Sequence, residues 1–226
     1  MRQIRILTFI GVIACAFPHA ASSQDASAAK PPTQLEKSRR FLMRYITFFD
    51  TIPDTEARLN IVKGIAMVAN ADANDWVAQY QASYHHLMIA ESCADTINRN
   101  YQLERSRFYL DAAEKANADA AELTALKGLS IQVVGKLLKR STDSLIAANL
   151  KTIEQLHKKG KSCARSQLML AEDLLNLPEG KGRDERRAKE ALLAALPLFD
   201  QESHEDPAWP AWGKKRCEAL LDSMKK

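Results

Sequence analysis

A helical hydrophobic pattern that recurs about every forty residues restricts this 226-residue chain to a narrow set of folds. Tyr84, Leu126 and Leu168 fall at like places on successive amphipathic stretches, 42 residues apart each time. Ala113, Ile153 and Leu192 follow on the partner stretches at spacings of 40 and 39. A period of this size marks stacked helix pairs, each burying its apolar side only against a neighbour. Eight glycines, with prolines concentrated near the expected ends, favour helix over sheet throughout. The expected class is all-α: an alpha-alpha superhelix, a solenoid of antiparallel helix pairs sealed by a C-terminal capping helix.

Residues 1–23 read as an export signal. Arg2 and Arg5 precede an apolar run over residues 6–17, and Pro18 leads into small residues suited to cleavage. The run is too short to span a bilayer as a helix, which predicts a chain with no transmembrane segment once the signal is removed. An alternative reading takes Val12-Ile13-Ala14-Cys15 as a lipoprotein signal anchored through Cys15; against it, Ala16-Phe17 continue the apolar run where a polar turn belongs. Both readings place the protein in the envelope, the first in the periplasm.

Loss of Arg2 and Arg5 from 32 basic residues leaves 30 against 28 acidic ones. Nucleic-acid binding needs a concentrated basic face, whereas here the signs alternate along the helices, as on solvated faces. No nucleic-acid partner is expected.

Residues 24–33 are small, polar or proline and describe a flexible leader, so the folded domain is expected over residues 34–226. Helices are predicted near 34–50, 54–71, 74–92, 97–115, 119–140, 143–158, 164–175, 188–199 and 213–225, from apolar spacings of three and four and from aspartates placed to cap. Phe41, Tyr45, Phe48 and Phe49 are assigned to one buried side of the first helix. Its arginines, Arg39, Arg40 and Arg44, also admit a membrane-surface reading. Trp209 and Trp212 are read as anchors pinning the last connection to the eighth helix, with an exposed aromatic recognition site as the sharper alternative.

Several segments together resemble a family of exported tetratricopeptide-repeat-like proteins of Gram-negative bacteria. They are Val68-Ala69-Asn70-Ala71, Asp75-Trp76-Val77-Ala78-Gln79-Tyr80, Asp111-Ala112-Ala113-Glu114-Lys115-Ala116, Ala121-Glu122-Leu123-Thr124-Ala125-Leu126-Lys127-Gly128, Ala164-Arg165-Ser166-Gln167-Leu168, Leu177-Pro178-Glu179-Gly180-Lys181-Gly182 and Trp212-Gly213-Lys214. Where relatives carry asparagine and proline before the seventh helix, this chain has Ser162-Cys163-Ala164. The resemblance implies a periplasmic alpha-solenoid and brings no catalytic, cofactor or metal residues with it.

Chemistry-bearing constellations are few. His85-His86 point about 100° apart on a helix, while ligands that share a metal sit three or four apart; one exposed and one half-buried imidazole are expected. His157 and His204 are expected to be solvated. Cys163 and Cys217 fall near the starts of helices that would run parallel in adjacent layers, within reach of a disulfide. With Cys93, read as a buried apolar residue, the count outside the signal is odd, so at least one thiol stays unpaired. A Cys/His nucleophile pair has no local support. Gly180-Lys181-Gly182-Arg183 lacks the glycine frame and preceding strand of a phosphate loop. The acids between residues 200 and 206 lack the ligand spacing and glycine of a calcium loop and read as a solvated linker.

The reading is therefore a non-enzymatic periplasmic binding or scaffold protein, without catalytic residues, cofactor or metal, whose groove takes a protein or peptide partner. An envelope enzyme with an unfamiliar site in the groove, or a structural subunit of an envelope complex, are the alternatives.

Overall fold

The computed structural model describes residues 33–225. The expectations for residues 1–23, for Cys15 and for most of the leader lie outside the described residues. Among those described there are nine α-helices and no strand: α1 (Gln34–Thr51), α2 (Thr55–Ala71), α3 (Trp76–Ser92), α4 (Thr96–Lys115), α5 (Ala120–Leu138), α6 (Asp143–Lys158), α7 (Ala164–Asn176), α8 (Glu185–Gln201) and α9 (Lys214–Ser223).

Local chemistry sets the starts of these helices. Asp54, Asp75, Asp95, Asp119 and Asp184 each accept a backbone N–H from the first turn, worth about 1 kcal/mol per cap. Thr33 and Glu36 form a reciprocal capping box on α1. At α7 the cap is Cys163, whose thiol accepts from Ser166 N–H while the Ser166 hydroxyl accepts from Cys163 N–H.

Each helix packs on the next in the chain, and α3 also meets α5, and α5 meets α7. The repeating positions serve this packing. Ala113, Ile153 and Leu192 are fully inaccessible, on α4, α6 and α8, and so are Leu126 and Leu168 on α5 and α7. Burying each leucine or isoleucine contributes roughly 1.5–3 kcal/mol. Glycine permits close approach at two crossings: a Cβ at Gly64 of α2 would lie 2.4 Å from the Tyr45 ring of α1, and one at Gly128 of α5 would lie 2.6 Å from the Asn149 side chain of α6.

One helix departs from expectation. Leu42 and Phe49 of α1 face inward with Tyr45 and Ile46 half-buried, while Phe41 and Phe48 are exposed. Positions 41 and 48 lie two turns apart on a face turned about 100° from that of Leu42 and Phe49, and α2 covers the latter face.

Candidate functional site

Residues 202–213 are only in part the solvated linker expected over residues 200–206: Ser203, His204 and Glu205 are exposed, whereas Glu202 and Asp206 are half-buried in ion pairs. The segment forms a strap laid across α3. Arg39 of α1 pairs with Asp206 (Nε to Oδ2, 2.6 Å) and also with Asp75. Gln81 donates to the Ala208 carbonyl at 2.7 Å. Trp209 meets Trp76 edge to face at 4.8 Å, and the exposed His204 stacks on Trp209 at 4.1 Å. Trp212 lies parallel to Tyr84 at 5.6 Å and donates Nε1–H to the Tyr80 hydroxyl at 3.0 Å. The two tryptophans thus anchor the strap to the Trp76, Tyr80, Tyr84 stripe of α3, and Trp212 also packs against the cluster shared by α7, α8 and α9. Asp200 and Glu202 are also engaged, with Lys214 and Arg165.

Beneath the strap sits Arg165 of α7, the largest fully buried side chain among the described residues. It donates to both oxygens of the buried Glu122 at 2.6 and 2.9 Å, to Glu202, and to the Trp212 carbonyl at 3.3 Å. Burial opposes the guanidinium charge, but Glu122 outweighs it and raises the pKa above the ordinary value. The strap then turns into α9 through Gly213 at φ +110°, where a Cβ would press to 3.0 Å on Leu168 and Phe199. Trp212→Ala, which removes a stacked indole and its hydrogen bond, is expected to cost about 3 kcal/mol. Urea denaturation checks this, and a cost like that of an exposed substitution would mean that the strap is loosely held.

None of the three cysteines in the described residues is bonded to another. Cys93 is buried at the end of α3, and Cys217 is buried within α9 with its thiol on the Leu192 carbonyl. Burial, with Glu122 adding to it, pushes the Cys163 thiol up to about 12, and burial pushes Cys217 to about 11. Neither offers a thiolate nucleophile at neutral pH. His157 is half-buried against the Ser166 hydroxyl at 3.0 Å, not solvated. Gly180 and Gly182, both at positive φ, shape a tight turn, and Arg183 beside them is held by the Leu175 carbonyl and Glu185. Among the described residues no three His, Cys, Asp or Glu side chains converge to hold a metal ion.

The histidine pair is placed differently from the expectation: both rings are buried, His85 at 2% and His86 at 5% exposure. The polar residues of α3 are distributed all round the helix, and α2, α4, α5 and the strap leave it no free face. His85 donates Nδ1–H to the Gln81 carbonyl at 2.7 Å. His86 makes a 2.6 Å bond from Nδ1 to the Gln102 side-chain oxygen of α4 and lies parallel to Tyr109 at 5.5 Å. Because a carbonyl oxygen only accepts, Nδ1 carries the proton, and Nε2 is left with a bare lone pair. That Nε2 is inaccessible and has no hydrogen-bond partner. Burial first, then the Arg105 cation, pushes the His86 pKa to about 4 against the help of Gln102, so the ring is neutral at pH 7.

His86 contributes to a cleft of about 160 Å³ between α2 and α4, walled by Leu59, Met67, Tyr101 and Tyr109 and edged by Lys63 and Arg105. Arg105 is held in place over Tyr109 and bonded to its hydroxyl, which donates on to Asn70. At the mouth Met67 and Tyr101 are 71% and 55% exposed, and farther along α4 Ile97 and Phe108 are 80% and 52% exposed. Ile97, Tyr101 and Phe108 form one stripe along α4 at helical spacing. A neutral imidazole with an unused lone pair, apolar walls and two cations converge here. Sequence reading missed this site, because polar residues on a helix read as its wet side.

No family model matches the chain, and no curated protein sequence matches it. Among solved structures it is similar to the HusA haemophore from Porphyromonas gingivalis, with 17% sequence identity and a TM-score of 0.70 over 86% of this chain and 96% of that one. At that identity the likeness establishes a shared all-helical fold.

Proposed function

We propose that this chain is an exported, non-enzymatic binding protein, built as a tetratricopeptide-like solenoid of antiparallel helix pairs and working in the periplasm, and that its α2–α4 cleft takes a flat, apolar, anion-bearing ligand of the metalloporphyrin class. The observation that carries this reading is the unpartnered Nε2 of His86. Leaving a buried acceptor unsatisfied costs about 1–3 kcal/mol, a cost that a ligand able to accept the lone pair would recover. A neutral imidazole whose other nitrogen donates to a fixed carbonyl is the arrangement that suits a metal ligand. The similar fold of a haemophore points to the same ligand class.

The residues fit such a ligand in kind. His86 would supply Nε2 to the metal, Lys63 and Arg105 would pair with ring carboxylates, and Met67 and Tyr101 would face the apolar ring. A cleft of about 160 Å³ falls below the roughly 300–1,000 Å³ of enclosed ligand sites, and Nε2 is inaccessible, so the ring would reach it only once the Met67 and Tyr101 side chains at the mouth had moved aside. A peptide groove on the face of α3 is the weaker reading, since the chain's own strap lies there.

Titration with an iron(III) porphyrin, followed by its Soret band, is expected to saturate at one equivalent. His86→Ala is expected to lose the spectral change and weaken binding at least about tenfold, and Gln102→Leu, which frees the ring to turn, to weaken it by about tenfold. Identical spectra for the parent and His86→Ala would sink the assignment.

A further inference from the structure

Helix α1 carries a second surface feature that the cleft does not use. Lys37, Arg40, Phe41, Arg44 and Phe48 recur at helical spacing, and all five are exposed. Phe41 and Phe48 leave 57% and 44% of their surface in solvent. No acid interrupts the stripe. Among the described residues Arg39 is the one α1 cation that forms ion pairs, both directed inward to Asp75 and Asp206. Arg44 instead lies over the Phe48 ring at 5.5 Å. The helix packs chiefly on α2 through a face about 100° round from the stripe, through Leu42 and Phe49.

We infer that this outer face of α1 is a docking surface for an anionic lipid bilayer. Two phenyl rings and three unpaired cations on one straight stripe, about 16 Å long over the twelve residues from Lys37 to Phe48, have the chemistry of an interfacial helix. The rings enter the acyl boundary, and the guanidinium and ammonium groups stay at the headgroups. Charge complementarity selects the surface, because a neutral bilayer leaves the three cations without partners, whereas an anionic one pairs each of them. Size argues against a protein partner. A stable protein interface covers about 800 Å² on each side, well beyond what one narrow stripe offers, while a bilayer requires only side chains that insert. No helix among the described residues is long and apolar enough to cross a membrane, so the contact is a surface one.

Co-sedimentation of the purified protein with phosphatidylcholine vesicles, with and without phosphatidylglycerol, tests this. Each basic residue near an anionic surface contributes roughly fivefold in partitioning. Arg40→Gln/Arg44→Gln should therefore weaken binding to the anionic vesicles about twentyfold, and Phe41→Ser/Phe48→Ser should weaken it by at least about tenfold. All the proteins carry the same N-terminal residues, so any membrane affinity of that segment cancels in the comparison. The altered side chains are exposed, and unchanged circular dichroism of the variants confirms the fold. Equal binding to neutral and anionic vesicles, retention of binding by either double variant, or displacement by millimolar inorganic phosphate would overturn the proposal. The α2–α4 cleft is read separately by its Soret band, so failure here leaves that reading untouched.

Discussion

Replacing Arg165 with methionine is expected to destabilise the fold by about 3–5 kcal/mol, because the substitution strands the Glu122 carboxylate in a site with 1% exposure. Arg165 also ties Glu202 and the Trp212 carbonyl to α7, so the loss propagates into the strap. Against a typical total of about 5–15 kcal/mol, such a loss leaves a marginal protein. The partner experiment is the double variant Arg165→Met/Glu122→Leu. It removes both buried charges and should recover most of the stability, since a buried ion pair and an apolar pair of similar volume are often nearly equivalent. Urea midpoints for the three proteins make the comparison. A single variant that loses less than about 1 kcal/mol would show that Glu122 finds water or another partner.

The second large effect appears on acidification, where two buried pairs act in opposite directions. Burial pushes both His85 and His86 down to about 4 in the fold, below their ordinary 6.5. The unfolded chain therefore takes up protons that the fold refuses, and each histidine removes stability as pH falls from 6.5 to 4, by about 3 kcal/mol at the end. On α7, burial raises Glu172 to about 7 despite the Arg216 contact, and raises Asp173 to about 6 despite hydrogen bonds from Asn149 and Gln132. Their carboxyls bind protons more tightly in the fold, so each adds stability as pH falls, Glu172 from about 7 and Asp173 from about 6, by a similar amount. The two pairs nearly cancel, and the contribution of these four groups to the parent protein changes little between pH 7 and pH 4.5. Substitution unmasks the imbalance. Relative to the parent, Glu172→Gln should lose about 3 kcal/mol on going from pH 8 to pH 4.5, whereas His86→Gln should gain on the same path. Thermal midpoints across that range check both signs, and parallel curves for the parent and the two variants would remove the basis for the assignment.

The elements were legible from local patterns, for a physical reason. Apolar spacings of three and four, with an aspartate before each of α2, α3, α4, α5 and α8, are local signals, and a helix obeys local rules wherever its apolar side finds a neighbour. Ala113, Ile153 and Leu192 were therefore placed in the interior without knowledge of the packing. The strap was not legible. Ala208, Trp209 and Trp212 reach partners on α3 more than 120 residues earlier in the chain, and no pattern within residues 200–213 distinguishes an anchor on α8 from one on α3. Phe41 and Phe48 were misplaced for a related reason, since aromatic content marks a helix as amphipathic but does not say how wide a stripe its neighbour covers.

By itself, then, the sequence determined the all-helical class, the helix positions to within about three residues and most of the repeating interior positions, because hydrogen bonding, capping and side-chain periodicity act over a few residues. The tertiary structure alone decided that both histidines lie inside, that Arg165 and Glu122 face each other, and that His86 keeps a free lone pair beneath an open apolar cleft. The histidine outcomes depend on how many neighbours enclose α3 and the ion pair on how α5 meets α7, both set by contacts between segments far apart in the chain.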